Sequence, residues 1–446
     1  MRWSLLAVLV VVCVSASGGE LERNFTAHLN KWQKNPPQAR ISVKMSKADI
    51  QRRRDGHIAA LKKFAPYILD EYAAVDRIMK WRSGTCMDIQ IFGTVKPAAH
   101  ECTSWVLMPE LTGGRSLLLH KNRDSSSSNI VAQQRAVSGR KRWVGIGDFG
   151  ALGTNMGINE KALAVVMNNA DKTNENNDVG LGTTFIARIL LENCSNADEA
   201  VKLLEKIIAE KAYTHGKNGS IWFIADPGNV WLVENNAEHI VAKPVYSGMA
   251  IRANAWDYPE ILPYSMFKPS EISENNQREY AVRHFLFNLN DVLHRGASVE
   301  LMAEASRIRK IKDAPESYPL CGPLTNSAAT FVIDQEFPEV LSYIVCAFGP
   351  PDHTLYLPVP LMLTGVPEQL ADGTNPDKAF KRFAKKMPWK SDDEVRVCEA
   401  KLNSRYRKAL ADARRIMRRS KNRAQAAAVL NTAFRENCKE YLSATE

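Results

Sequence analysis

The chain reads as an α+β protein built from layered antiparallel sheets. Two observations carry that reading. Apolar runs rich in β-branched and aromatic residues come in pairs around Gly-, Pro- or Asn-containing turns, which is hairpin chemistry. Helical periodicities are grouped between and outside those hairpins instead of alternating with single strands, so a doubly wound βαβ fold does not fit.

Over residues 47–81, Ile50, Ile58, Leu61, Phe64, Ile68, Tyr72, Val75 and Ile78 recur mostly three and four apart, a helical period that Pro66 splits in two. A Gly/Cys/Pro-containing connector covers 84–100. Cys102 to Met108 and Ser116 to His120 read as strands, joined across Pro109 to Gly114, where Gly113-Gly114 marks the turn. Trp143 to Asp148 and Ala162 to Met167 are further strands. Thr183 to Glu192 and Asp198 to Glu210 are amphipathic helices, the second starting at Asn196 or Ala197. Ser220 to Ala225 and Val230 to Glu234 form a hairpin around Asp226-Pro227-Gly228-Asn229. Gly248 to Ala255 is extended; Arg278 to Asn288 and Val299 to Ile308 are helical. Thr330 to Ile333, Leu341 to Ala347 and Thr354 to Leu357 return to β. Helices follow at Asp392 to Arg414 and Arg423 to Tyr441.

A chain of 446 residues can bury one large core or two. Its 45% hydrophobic and 24% charged residues exclude disorder, collagen and coiled coil. Arg2, the apolar run Leu5 to Val14 and the small residues of Val14-Ser15-Ala16 read as a secretory signal over residues 1–17. That run is too short to span a bilayer well. The expected location is secreted or periplasmic, or lysosomal or extracellular in a eukaryote.

Eight cysteines are present; losing Cys13 with the signal leaves seven, an odd number. One thiol is then free or joined to another chain. Cys102 is expected to be the free one, and the other six could form up to three bridges. No pair has CxxC spacing, so a zinc site is not expected. Asn24, Asn193 and Asn218 lie in glycosylation sequons. The net charge of +10 is concentrated at Arg52-Arg53-Arg54 and between Lys378 and Arg423. Solvated helix faces account for it; an anionic surface is the partner it would otherwise fit. No nucleic-acid-binding motif is present.

The chemistry centres on Cys102. It opens a strand, a turn reverses the chain, and the return strand leads into Lys121-Asn122-Arg123-Asp124. A cysteine nucleophile needs a base and an oxyanion hole. None of the nine histidines stands in a pattern that identifies a base. An N-terminal cysteine needs none, because its own α-amine accepts the proton once the Glu101–Cys102 bond is cut. Cys86 is a rival start, but no hairpin and Asn-x-Asp follow it.

These residues resemble the N-terminal-nucleophile (Ntn) hydrolases, in particular the penicillin (isopenicillin-N) acyltransferase and choloylglycine hydrolase group. Acid ceramidase and N-acylethanolamine acid amidase share the pattern more distantly. Gly157-Ile158-Asn159-Glu160-Lys161-Ala162-Leu163-Ala164-Val165 is similar to the family's GxNExGLAV strand. Gly182 to Glu192 followed by Asp198-Glu199-Ala200-Val201 resembles its paired helices, and Trp222 to Asp226 its central hairpin. Ala253-Asn254-Ala255-Trp256 sits where the family has TNHF, and His353 to Tyr356 resembles its closing strand.

The resemblance spans roughly residues 60–360 and implies a four-layer αββα sandwich. It also implies a zymogen, self-cleaved between Glu101 and Cys102, with Cys102 attacking a linear, non-peptide amide. Asp124 matches the carboxylate that holds the new α-amine. Asn254 matches the oxyanion amide, and Asn168, or alternatively Asn169, supplies the second donor. Lys121 falls where many members have arginine, keeping the charge but losing the bidentate fork. Glu101 departs from the small residue common before the cysteine. The family's late arginine has no evident counterpart in the sequence.

The expected organisation is a signal peptide (1–17), a helical propeptide retained as a small subunit (18–101), a catalytic domain (102–360) and a helical extension (361–446). The expected partner is a small amide substrate, with no cofactor or metal, and a homo-oligomer is compatible. The alternatives are a dipeptidase-like peptidase and a non-catalytic exported protein that binds an anionic partner through its basic helices.

Overall fold

The computed structural model describes residues 32–33, 39, 41, 45–93, 102–125, 130–135, 139–148, 150–288, 296–308, 319–322, 324–352, 354–371 and 393–445. The signal segment 1–17, Asn24, Glu101, His353 and the basic stretch 378–392 lie outside the described residues.

Three helices come first: α1 (Lys47–Phe64), α2 (Tyr67–Met79) and α3 (Thr85–Phe92). Ser46 caps α1 by accepting from Asp49 N at 3.0 Å, and Pro66 stands where α1 gives way to α2. Then come β1 (Thr103–Leu107), β2 (Ser116–Asp124), β3 (Ile130–Arg135), β4 (Trp143–Asp148), β5 (Met156–Asn159), β6 (Ala164–Asn177) and β7 (Leu181–Gly182). Helices α4 (Thr183–Asn193) and α5 (Ala197–Ala209) follow, α5 capped by Asn196. Next are β8 (Tyr213–Thr214), β9 (Gly216–Ala225), β10 (Val230–Asn235), β11 (Ile240–Pro244) and β12 (Met249–Arg252), then α6 (Pro269–Asn288) and α7 (Val299–Ser306). The chain continues through β13 (Thr325–Asp334), α8 (Pro338–Leu341), β14 (Tyr343–Ala347), β15 (Tyr356–Pro360) and α9 (Glu368–Ala371). It ends in α10 (Asp393–Ser420) and α11 (Arg423–Thr445). Among the described residues no helix is long and apolar enough to cross a membrane.

The strands form two large antiparallel sheets. Sheet A has the order β12-β1-β2-β13-β14-β15, and sheet B the order β11-β10-β9-β6-β5-β4-β3. Side-chain alternation sends Val106, Leu117, Leu119, Phe331 and Ile333 of sheet A against Val144, Ile146, Val166, Ile221 and Phe223 of sheet B, making the central core. The reverse face of sheet B (Val165, Met167, Trp222, Ile224) is covered by α4 and α5 and, in the same apolar cluster, by α1–α3. The reverse face of sheet A (Trp105, Leu107, Leu118, Ile251) is covered by α6 and α7. The layering is therefore helix, sheet, sheet, helix, as the sequence pattern implies. Phe434, Cys438 and Tyr441 of α11 join the central core, and α10 and α11 pack beside the edge strand β15, so the C-terminal helices cover an edge of sheet A.

Three local readings change. The connector 84–100 contains α3, held where Asp76 accepts from Gly84 N and Cys86 N, each at 2.7 Å. Strand β2 continues past His120 to Asp124, and β6 continues past Met167 to Asn177 with bulges at Asn169/Lys172 and Lys172/Asn177. Polar side chains in these extensions are buried, so no apolar alternation marks them. Among the described residues, Cys86, Cys102, Cys194, Cys321, Cys346, Cys398 and Cys438 are not joined by disulfides, where the cysteine count allowed up to three bridges.

The N-terminal helices are tied to the sandwich by a buried charge. Arg188 of α4 is fully buried and pairs with Glu71 of α2 at 2.7 Å and with Glu192 at 2.9 Å. Glu192 also accepts from Tyr67 Oη at 2.5 Å and Trp143 Nε1 at 3.1 Å. Removing the cation would strand two carboxylates in an apolar layer. Arg188→Met is expected to lower stability by about 3–5 kcal/mol, read by urea unfolding. An unchanged midpoint would show that this network does not hold the layer.

Candidate active site

Strand β1 is paired on both sides, with Ser104 opposite Lys121 of β2 and opposite Arg252 of β12. Alternation places Ser104 and Lys121 on the face toward sheet B. Both reach Asn168 of β6: Ser104 Oγ donates to its Oδ1 at 2.8 Å, and Lys121 Nζ donates to the same oxygen at 2.7 Å and to Met167 O at 2.5 Å. Cys102 precedes β1 and is 4% exposed. Burial lowers the proton affinity of Lys121; Cys102, and to a smaller extent Asp124, act in the opposite direction.

A second set of contacts holds the Cys102 backbone. Its N–H donates to Asn254 Oδ1 at 2.8 Å, and its carbonyl accepts from Arg278 Nη1 at 2.9 Å. Arg278 Nη2 also donates to Asn254 Oδ1 at 2.9 Å and to Asn275 Oδ1 at 2.5 Å. Asn254 N donates to Asn275 Oδ1 at 2.7 Å, and Asn254 Nδ2 to Asn169 O at 2.6 Å. The Asn254 amide is thereby oriented with oxygen toward the Cys102 N–H, and one Nδ2 hydrogen is used on Asn169.

The structure brings Lys121 and Asn168 into contact and sets Asn254 against the Cys102 backbone. Asn168 spends both Nδ2 hydrogens on Arg252 O and Ala253 O, each at 3.1 Å, and its Oδ1 already accepts twice. A fully engaged amide has no N–H left for an oxyanion, so Asn168 is a brace between Lys121, β1 and the end of β12. Asn169 contributes its carbonyl. Asp124 is buried at the end of β2, opposite Thr325 of β13, and acts on Lys121 through its charge. The Cys102 N–H goes to Asn254 in this uncut chain. Cys86 lies in α3, within the apolar cluster on sheet B.

Among the described residues, the histidine nearest in sequence to Lys121 is turned away from it. His120 shares β2 with Lys121 but points to the opposite face, stacked on Trp105 at 4.1 Å. Its ring nitrogens face Thr330 Oγ1 and Asn122 Oδ1, and burial pushes its pKa down to about 3.

Arg278, which holds the Cys102 carbonyl, is the residue that the sequence did not single out. It is 3% exposed although it lies on a helix of mixed polarity. Asn275, Arg278 and Glu279 are spaced three and four apart, on one helix face, and that was the available signal. Arg123, beside Cys102 on the adjoining strand, clamps Asp148 of sheet B bidentately at 2.8 and 2.9 Å.

A family model described as acyl-coenzyme A:6-aminopenicillanic acid acyl-transferase matches residues 111–295. No curated protein matches the chain in sequence. Among solved structures, the chain is similar to a Caenorhabditis elegans N-acylethanolamine-hydrolyzing acid amidase ortholog, with 14% identity, 51% of this chain and 92% of that chain covered, and a TM-score of 0.36. It is also similar to a variant of the conjugated bile acid hydrolase of Clostridium perfringens, with 11% identity, 58% and 92% covered, and a TM-score of 0.39. Over residues 111–295, within its two-sheet layered fold, the chain is similar to the acyl-coenzyme A:6-aminopenicillanic acid acyl-transferase family.

Proposed function

We propose that this chain is a secreted zymogen that cuts itself before Cys102 and then hydrolyses, or transfers the acyl group of, a linear non-peptide amide. The observation that carries the reading is the convergence on Cys102 of Asn254 at its N–H and Arg278 at its carbonyl, with Lys121 on the strand paired with β1.

In this reading the sulfur attacks the substrate carbonyl, and the free α-amine of Cys102 takes the thiol proton and delivers it to the leaving amine. Water, or a second amine in the transferase case, then displaces the acyl group from sulfur. Asn254 sits where its second Nδ2 hydrogen can meet the oxyanion. After cleavage Asp124 would hold the ammonium form of the new terminus. Residues 18–101 would remain as a bound small subunit, because α1–α3 share the apolar cluster of α4 and α5. The apolar run at residues 5–14 supports export.

The direct test is N-terminal sequencing and intact mass of the purified protein, which should yield a chain starting at Cys102. Cys102→Ala should stay uncut and inactive. An uncut wild type that hydrolyses amides would remove the processing step, and an active Cys102→Ala would remove the assignment.

Lys121→Met should lower kcat/KM by about 100-fold, the scale of a lost charge-stabilising contact at a reacting centre. Lys121→Arg should restore only part of that, because the site is built to satisfy a compact ammonium. Wild-type kinetics in Lys121→Met would contradict a role for Lys121 in the reaction. Arg278→Met should impair both self-cleavage and turnover, seen as accumulated precursor on a gel.

A further inference from the structure

Asn254 is carried by a loop, Ala253 to Tyr258, that leaves β12 at the edge of sheet A. The loop's backbone N–H groups are held by side chains from three other elements. Ala253 N donates to Glu279 Oε1 at 3.0 Å and Asn254 N to Asn275 Oδ1 at 2.7 Å, both on α6. Trp256 N donates to Asp171 Oδ1 of β6 at 2.9 Å. Asp257 N and Tyr258 N donate to Glu234 Oε2 of β10 at 3.0 and 2.9 Å. Asp171 is the tether nearest the reacting end of sheet B. It lies three residues beyond Asn168, within the bulge between Asn169 and Lys172, and is 1% exposed.

The remainder of the Asp171 environment is as specific. Its Oδ2 accepts from Ser265 Oγ. Trp256 is seated in the central core, where a Cβ on Gly219 would come within 2.0 Å of its ring, so the loop cannot slide to find another acceptor. The charged groups around the site are Glu234 on β10, paired with Arg252 of β12 at 2.8 Å, together with Asp257 on the loop and Glu279 on α6. Lys172, next on β6, turns away to a surface ion pair with Glu271 at 3.1 Å.

We infer that Asp171 is a positioning residue for reaction at Cys102: through Trp256 N–H it fixes the loop that presents Asn254. This rests on Cys102 being the nucleophile and Asn254 the oxyanion donor. Protonated, Asp171 satisfies both neighbours, with Oδ2–H donating to Ser265 Oγ and Oδ1 accepting from Trp256. Ionised, it is a buried charge facing Glu234. Burial, opposed by the bonds from Ser265 and Trp256, raises its pKa to about 7. A carboxyl whose folded pKa lies above its ordinary value stabilises the fold most when protonated, and that contribution is lost as pH rises through the folded value. The loop is therefore held best below about pH 7. Asp171→Asn mimics the protonated form, because Oδ1 can accept from Trp256 and Nδ2 can donate to Ser265.

The test compares wild type, Asp171→Asn and Asp171→Ala in two readouts. One is amide hydrogen exchange over residues 253–258, which needs no turnover. The other is kcat and KM for amide hydrolysis from about pH 5 to about pH 9, the window that spans the shifted titration. Asp171→Ala should exchange faster over the loop and lose at least about tenfold in kcat with KM little changed, as expected when a transition-state contact is misplaced. Asp171→Asn should restore most of both, and the ratio of its kcat to that of wild type should rise above pH 7. Glu279, also raised to about 7 by burial, titrates in both proteins and cancels in that ratio. Unchanged loop exchange or unchanged kcat in Asp171→Ala would overturn the inference, as would an Asp171→Asn protein as impaired as Asp171→Ala. A wild type that hydrolyses no amide, but whose loop exchange still depends on Asp171, would overturn the amidase reading and support the tether.

Discussion

A lysine ammonium that is 1% exposed between two β-sheets sets the terms for everything at that end of the sandwich. Leaving such a charge unsatisfied in an apolar layer costs several kcal/mol, so acceptors have to meet it. Met167 O and Asn168 Oδ1 do so. These two fix the rest. Asn168 must turn its oxygen toward Lys121, so its NH2 group faces away and is taken up by Arg252 O and Ala253 O. That anchors the end of β12, from which the Asn254 loop departs. A flip of the Asn168 amide would set two N–H groups against an ammonium and abandon two carbonyls. One buried cation thus dictates the orientation of an amide, and through it the start of the loop beside the cysteine.

The order of strands and helices was legible because the core hairpins are short apolar runs bounded by turn residues. Trp222-Phe223-Ile224 and its partner Val230 to Glu234, on either side of Asp226-Pro227-Gly228-Asn229, show that pattern, and they are paired in register in sheet B. The site was legible in part. Cys102, Lys121 and Asn254 stood out through their resemblance to a known arrangement. What stayed hidden was polar structure whose partners are remote in sequence. Arg278 bonds the carbonyl of a residue 176 positions away, and in sequence it looks like a solvated helix charge. Strand β6 loses its apolar signature after Met167 because Asn168 and Asp171 face groups from the other sheet and the Trp256 loop. Asn168 could be placed at the site from sequence but not given its role, since a role depends on which hydrogens are already spent.

The family match at residues 111–295 takes in all of sheet B but only β2 and β12 of sheet A. Strands β1, β13, β14 and β15, and with them Cys102, lie outside it. The matched stretch is therefore not a self-sufficient half of the sandwich. Its inner face is completed by later strands, and its helical face by α1–α3.

This distribution bears on what cleavage before Cys102 would do. The bond joins an N-terminal segment packed on sheet B's helices to a strand paired on both sides in sheet A. Neither anchor depends on the peptide bond between them. The Glu71–Arg188 pair and the shared apolar cluster would hold the first, and the β1 ladder the second. Cutting the bond would therefore change the chemistry at Cys102 N from an amide to an amine while leaving the layers in place. The new charge would arise in a site already furnished with Asn254 Oδ1 as acceptor and with Asp124 buried nearby. The N-terminal layer is thus held by packing on α4 and α5 as well as by the chain.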